Sequence, residues 1–115
     1  MQPELTDRLL NFSINTIRLL RKVANTEEYK IIKYQLIKSS TSSGANYEEA
    51  QGGSSRADFR NKVFISLKEM RESNYWMKVL RGINENKELN KEIVELVNES
   101  QELKNILGSI ASKLR

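Results

Sequence analysis

The first segment of the chain carries an apolar stripe of the kind that a helix buries on one side. Its apolar and small positions are separated by three or four residues, which is the period of an α-helix; they are Leu5, Leu9, Phe12, Thr16, Leu19 and Val23. Pro3 suits the first turn of a helix, because its missing N–H would have no intrahelical partner there. The pattern predicts a helix from about Pro3 to Ala24.

A second helix is predicted after a short turn. Asn25 and Glu28 have the spacing of a capping box, with Asn25 in the capping role. The apolar positions that follow are Tyr29, Ile32, Leu36 and Ile37. Residues 39–45 read SSTSSGA and admit two interpretations. They form a loop, because Ser, Thr and Gly are poor residues for a helix interior, or they continue the helix with small side chains that let a neighbouring backbone approach.

The clearest break in the pattern is the pair Gly52 and Gly53, either of which can supply a left-handed helix end. Ser55 and Asp58 then have a second capping-box spacing. A third helix is predicted from about Ser55 to Arg81, with a main stripe formed by Phe59, Val63, Leu67, Met70, Asn74 and Met77.

The last helix, predicted from about Asn86 to Leu114, has the most regular pattern in the chain. Its seam alternates spacings of four and three, as in left-handed bundle packing, through Leu89, Ile93, Leu96, Ser100, Leu103, Leu107, Ile110 and Leu114. Short connections between long helices imply antiparallel neighbours. The predicted fold is therefore all-α, an up-down-up-down four-helix bundle in which residues 1–115 form a single domain.

Composition narrows the function classes. The chain lacks His and Cys, so it has no usual general base, no thiol nucleophile, none of the commonest metal ligand, and no Glu-x-x-His motif for a di-iron carboxylate site. No signal peptide or membrane-spanning run is visible. We expect a cytoplasmic protein that is not an enzyme, with no metal, no cofactor and no membrane partner.

The middle of the chain resembles a known family. Residues 35–50 read QLIKSSTSSGANYEEA, and residues 67–76 read LKEMRESNYW. Together with Ser55, Asp58, Phe59 and Lys62, they look like the signature of the bacterial four helix bundle protein family, which is also called the S23 ribosomal protein-like or 23S rRNA intervening-sequence protein family. The resemblance is closest over residues 35–80, and only the length and pattern of the flanking helices agree.

The resemblance implies properties that the residues alone do not. It places SSTSSGA on a helix, and it implies a homo-oligomer, because members of this family tend to form pentameric rings. Relatives are encoded within rRNA insertions or accompany diversity-generating retroelements. The signature positions that we expect to pack helices together are Gln35, Ser39, Ser40, Ala45, Asn46, Glu49, Ala50 and Phe59.

Basic residues are the candidate nucleic-acid contacts. The chain has 19 Lys and Arg against 15 Asp and Glu, a net charge of +4, and its bases concentrate in residues 1–40 and 54–83 whereas acids dominate residues 84–102. Repeated around a ring, such a surface becomes a strong positive field. The residues that we predict to contact phosphates are Arg18, Arg21, Lys22, Arg56, Arg60 and Lys62. The alternative is that they are ordinary solvated helix faces.

Two further groups have open interpretations. Tyr75 and Trp76 are adjacent, and neighbouring helix positions point about 100° apart, so one of the two is a candidate for a subunit interface. The alternative is that both belong to a wide apolar stripe within a single bundle. Asn46, Glu48 and Glu49 have two interpretations. They contact a ligand or line a channel, or they serve packing, with Asn46 bonded to a neighbouring helix and the two acids solvated or ion-paired.

The sequence thus predicts an oligomeric helical-bundle protein that binds nucleic acid, with RNA favoured, through electrostatic contacts of little base specificity. The rival hypothesis is a protein–protein adaptor that never contacts nucleic acid. The salt dependence of binding distinguishes the two hypotheses. Phosphate binding weakens steeply as the salt concentration rises, whereas the affinity of an apolar interface hardly changes.

Overall fold

The computed structural model describes residues 4–52 and 55–115, and within those residues every regular element is helical. The elements are α1 (Leu5–Leu20), α2 (Glu27–Gln51), α3 (Arg56–Ile83), a single 3-10 turn (Lys87–Leu89) and α4 (Asn90–Ser112). The connections are a few residues long, so consecutive helices pack as neighbours.

Ion pairs between helices mark the direction of each helix. Lys62, near the start of α3, pairs with Glu49 near the end of α2. Lys22, just after α1, pairs with Glu92 at the start of α4. α2 packs on α1 and α3, and α4 packs on α3 and α1. These relations define an antiparallel up-down-up-down four-helix bundle, which confirms the predicted all-α fold class.

The predicted stripes form the core. Leu9, Phe12, Thr16 and Leu19 of α1 are all at most 1% exposed, and the stripes of α3 and α4 converge on the same cluster. On α4 the seam stays buried through Leu107, after which Ala111 is the buried residue and Ile110 is half-buried. The shift has a simple cause: a straight helix has 3.6 residues per turn and drifts away from a strict seven-residue repeat.

The segment SSTSSGA lies within α2, so the helical interpretation is confirmed and the loop interpretation is wrong. Ser39, Ser40 and Ser43 are each at most 2% exposed. Their hydroxyls form hydrogen bonds, within α2 or across to α3. Low helix propensity is overridden here because each small polar side chain is satisfied and lets helices approach closely.

The predicted cap at Asn25 is wrong. α2 begins one residue later than expected, with Thr26 as its N-cap and no side-chain capping bond. Asn25 Oδ1 accepts a hydrogen bond from Lys33 Nζ at 3.4 Å instead. The cap at Ser55 is confirmed, because its Oγ accepts the backbone N–H of Asp58 at 3.0 Å.

The predicted glycine end of α2 also needs correction. Gly52 caps the helix with φ of −96°, outside the left-handed region, and Gly53 lies outside the described residues, as does Pro3. α1 ends at Leu20 rather than at Ala24, whereas α3 extends two residues past Arg81.

Thr16 offers a test of the core. Within the part of the chain that the structure describes, its Oγ1 is the one buried side-chain polar atom without a hydrogen-bond partner. A buried unpaired hydroxyl costs about 1–3 kcal/mol, and an apolar group of the same shape removes that cost. We expect Thr16→Val to raise the free energy of unfolding by about 1 kcal/mol, measured by urea unfolding at a fixed protein concentration.

The matched control for this substitution is Thr41→Val. Thr41 is exposed, and its hydroxyl donates to the carbonyl of Ile37 at 2.6 Å, so removing it offers no gain. A loss of stability in Thr16→Val would contradict the prediction and would show that the Thr16 hydroxyl has a partner, such as an internal water.

Candidate nucleic-acid interface

The six predicted phosphate-binding residues fall into two groups at opposite ends of the bundle. Arg18, Arg21 and Lys22 lie at the end of α1, whereas Arg56, Arg60 and Lys62 lie at the start of α3. α1 and α3 run in the same direction, because each is antiparallel to α2. The bundle is 45 Å long along its main axis, so the two groups belong to different surfaces.

At the α1 end, acidic side chains face the bases. A cavity of about 310 Å³ is lined by Arg18 and Lys22 together with Glu92 and Glu95. Lys22 Nζ lies 2.9 Å from Glu92 Oε1. Two bases and two acids leave the lining close to neutral, so this surface attracts a phosphate only weakly.

At the α3 end, two of the three predicted bases line a cavity that has no acidic side chain in its lining. A cavity of about 400 Å³, called here the arginine cavity, is lined by Arg56, Ala57, Arg60, Leu114 and Arg115. Its lining carries three guanidinium groups and no carboxylate side chain. Guanidinium groups bind phosphate oxygens in a planar, bidentate geometry.

One wall of the arginine cavity is stiffened by an aromatic ring. The guanidinium carbon of Arg60 lies 5.1 Å from the centroid of the half-buried Phe64 ring. Such a cation–π contact holds an arginine in place while its N–H donors stay available. Arg60 is thereby partly preorganised, which lowers the entropy cost of binding an anion.

Arg115 was not among the predicted residues. It enters the cavity because the end of α4 lies beside the start of α3 in an up-down-up-down bundle. The antiparallel arrangement was itself predictable from the short connections. In that arrangement the end of α4 is a neighbour of the start of α3, and this proximity identifies Arg115 as a candidate.

Lys62 lies apart from the arginine cavity. Its Nζ is 3.3 Å from Glu49 Oε1, in an ion pair between α3 and α2. Of the two states expected for Glu49, solvated or ion-paired, the structure shows the ion pair. Glu49 partly balances the positive charge of Lys62 within the bundle.

The serines of the signature segment link helices. Ser39 Oγ and Ser73 Oγ are 2.7 Å apart, which ties α2 to α3. The carbonyl of Ser40 accepts a hydrogen bond from Ser13 Oγ at 2.9 Å, which ties α2 to α1. Ala50 is 3% exposed and belongs to the core.

The sequence profile of the 23S rRNA-intervening sequence protein family matches residues 4–109, and so spans most of the chain. The chain belongs to this family. It is also similar to a crystal structure of a protein of unknown function from the S23 ribosomal protein family of Bacteroides thetaiotaomicron. The two chains are 34% identical, with a TM-score of 0.79 over 94% of this chain and 98% of that one. No curated protein matches the sequence.

Other signature positions of this 23S rRNA-intervening sequence family member do not all pack between helices. The expected bond from Asn46 to a neighbouring helix is wrong, because Asn46 Nδ2 donates to the carbonyl of Ser42 at 2.8 Å, within α2. Ala45 and Glu49 are exposed, whereas Gln35 and Phe59 are half-buried, and Phe59 packs against the core.

The aromatic pair divides between core and solvent. Trp76 is half-buried and packs against the core, whereas Tyr75 is 60% exposed. Their ring centroids are 5.4 Å apart at an interplanar angle of 82°. Of the two, Tyr75 therefore supplies aromatic surface to solvent.

A second apolar surface lies between α1 and α2. It consists of exposed Leu10 and Ile14 on α1 and of exposed Tyr34 and Ile37 on α2, and is called here the α1/α2 apolar face. Leu10 lines a groove of about 410 Å³, together with Thr6, Asp7, Ser13, Thr41, Gly44, Ala45 and Glu48. Ile37 and Tyr34 precede Thr41 by four and seven residues, which places them on the same side of α2.

Residues 4–52 and 55–115 contain neither a membrane-spanning helix nor a cluster of metal-ligating side chains. None of these helices combines the length and the apolar character that crossing a membrane requires. No three acidic side chains come together in a group that could hold a metal ion.

Proposed function

We propose that this member of the 23S rRNA-intervening sequence family is a non-enzymatic bundle protein that binds nucleic acid, RNA in preference, through a basic surface. The observation that carries the proposal is the arginine cavity, where Arg56, Arg60 and Arg115 surround a concave surface that has no acidic side chain in its lining. The family's description adds support, because it connects these proteins with an rRNA insertion.

The recognition proposed is electrostatic and of little sequence specificity. Phosphate contacts position a protein on a nucleic acid but carry no base information. The sequence has no RRM, KH or helix-turn-helix signature that would read base edges. Arginine contacts to phosphates suit this mode, and a net charge of +4 favours anionic partners in general.

The non-enzymatic part of the proposal rests on the chemistry of the side chains. The chain lacks His and Cys. Burial, with help from the nearby charge of Glu72, raises the pKa of Glu69. Its other charged neighbours, Lys68 and Lys38, act in the opposite direction and lower the pKa of Glu69.

Homo-oligomerisation, as a pentameric ring, is part of the same proposal. A ring uses heterologous contacts, in which two different surfaces of each subunit meet. The α1/α2 apolar face and the exposed Tyr75 of α3 are two such surfaces, and α3 lies diagonally across the bundle from α1. A ring would repeat the arginine cavity and so strengthen its field.

The test is fluorescence anisotropy of the purified protein with labelled structured RNA and with duplex DNA, at about 50 and 200 mM salt. Three phosphate contacts to single-stranded RNA give a log–log slope of roughly −2. We therefore expect the affinity for RNA to fall by at least about 16-fold over that range. No binding even at the lower salt would refute the proposal.

A protein–protein adaptor is the second candidate, and the α1/α2 apolar face favours it. Leu10 is 57% exposed and Tyr34 is 63% exposed, and apolar surface of this kind marks interaction sites. In that case nucleic acid would not bind, and association with a protein partner would change little between the two salt concentrations.

A further inference from the structure

The side chains that line the arginine cavity carry more positive charge than one internal phosphodiester can balance. Arg56 and Arg60 lie one helical turn apart on α3, and Arg115 approaches from the end of α4. An internal phosphodiester carries a single negative charge, whereas a phosphate monoester carries about 1.5 to 2 at neutral pH. The doubly charged monoester is therefore the better match for three guanidinium groups.

The size and the lining of the arginine cavity suit the terminal nucleotide of a nucleic-acid strand. Its volume of about 400 Å³ lies in the range of small-molecule sites. Ala57 and Leu114 supply apolar walls, against which a sugar or a base can pack, while the arginines hold the phosphate. The cavity at the α1 end has Glu92 and Glu95 in its lining, so it lacks this charge match.

We propose that the arginine cavity binds the terminal phosphate monoester of an RNA strand. This inference rests on the proposed function, because it takes RNA as the ligand, and it adds which chemical group of the RNA is recognised. The internal phosphates then lie along the rest of the basic surface. Arg60, held against Phe64, is the central anchor of the monoester.

The experiment is competition against labelled structured RNA at about 50 mM salt. The competitors are unlabelled single strands of one sequence that carry a 5′-phosphate, a 3′-phosphate, or hydroxyl groups at both ends. We expect a phosphate-ended competitor to displace the label at about ten-fold lower concentration, as charge-assisted bonds to one group allow. The difference between the 5′ and 3′ arms identifies which terminus supplies the monoester.

Two substitutions test whether the preference for a phosphate-ended strand arises in the arginine cavity. In Arg60→Gln the advantage of the phosphate-ended strand should disappear. The matched control is Arg81→Gln, an exposed arginine at the opposite end of the same helix, in which the advantage should persist. Equal displacement by all three competitors would overturn the inference, while salt-dependent binding of the same strands would leave the proposed function standing.

If the labelled structured RNA does not bind, the proposed function is refuted, and the monoester site is then tested directly. The melting temperature is measured with adenosine 5′-monophosphate and with adenosine. A rise with the monophosphate alone that is lost in Arg60→Gln supports the monoester site. No difference between the two ligands overturns it.

Discussion

Replacing Ser43 with leucine is expected to lower the free energy of unfolding by about 3 kcal/mol or more, since overpacking costs about 1–3 kcal/mol and lost hydrogen bonds add to it. Ser43 is completely buried where α2 meets α3. Its Oγ donates to the carbonyl of Ser66 at 2.8 Å, and Ser66 Oγ donates to the carbonyl of Ser43 at 2.8 Å. This reciprocal pair joins the two backbones, so a larger side chain forces the helices apart.

Two companion variants separate packing from hydrogen bonding. Ser43→Ala keeps the small volume and leaves Ser66 its carbonyl acceptor, so it should cost only about 1 kcal/mol. Ser109→Leu places the same leucine at an exposed position of α4 and should change stability by less than about 0.5 kcal/mol. Urea unfolding at one protein concentration gives all three values. A Ser43→Leu variant as stable as the parent would show that α2 and α3 tolerate a wider separation there.

The contact between Ser43 and Ser66 illustrates the difference between parts of the fold that the sequence predicts and parts that it does not. The seams of α1 and α4 are apolar at helical spacing, so their burial follows from periodicity alone. The segment that contains Ser43 has no such signal, because propensity describes an isolated helix and takes no account of a partner backbone. Its assignment to α2 required either the resemblance to a family or knowledge of what packs against it.

The candidate site was less predictable because it depends on how helices rotate and which ends meet. Arg18 and Arg56 belong to equally basic stretches of sequence, yet Arg18 faces Glu92 and Glu95 whereas Arg56 faces Arg115. The partners come from α4, far along the chain, so local charge counts cannot reveal them. The cap at Asn25 failed for a different reason: helix ends inferred from spacing are easily wrong by one residue.

Reversing the charges of the arginine cavity is expected to weaken RNA binding by roughly 25-fold at about 0.1 M salt, since each lost contact to a single strand lowers the logarithm of the binding constant by about 0.7 at this salt. The variant is Arg56→Glu with Arg60→Glu, and the measurement is anisotropy across a salt series. The slope of log affinity against log salt should become shallower by about 1.4, because two arginine–phosphate charge contacts, whether to one monoester or to two phosphates, no longer release counterions.

The matched control is Arg18→Glu with Arg21→Glu, which makes the same change in net charge at the other end of the bundle. We expect less than about a three-fold loss for this variant, because its surroundings already contain Glu92 and Glu95 and long-range effects are screened within about 10 Å at this salt. An equal loss in both variants would mean that net charge drives binding and that the arginine cavity is no special site. A larger loss in the control would move the interface to the α1 end. A selective loss at the α3 end, with the changed slope, therefore requires direct phosphate contact by Arg56 and Arg60.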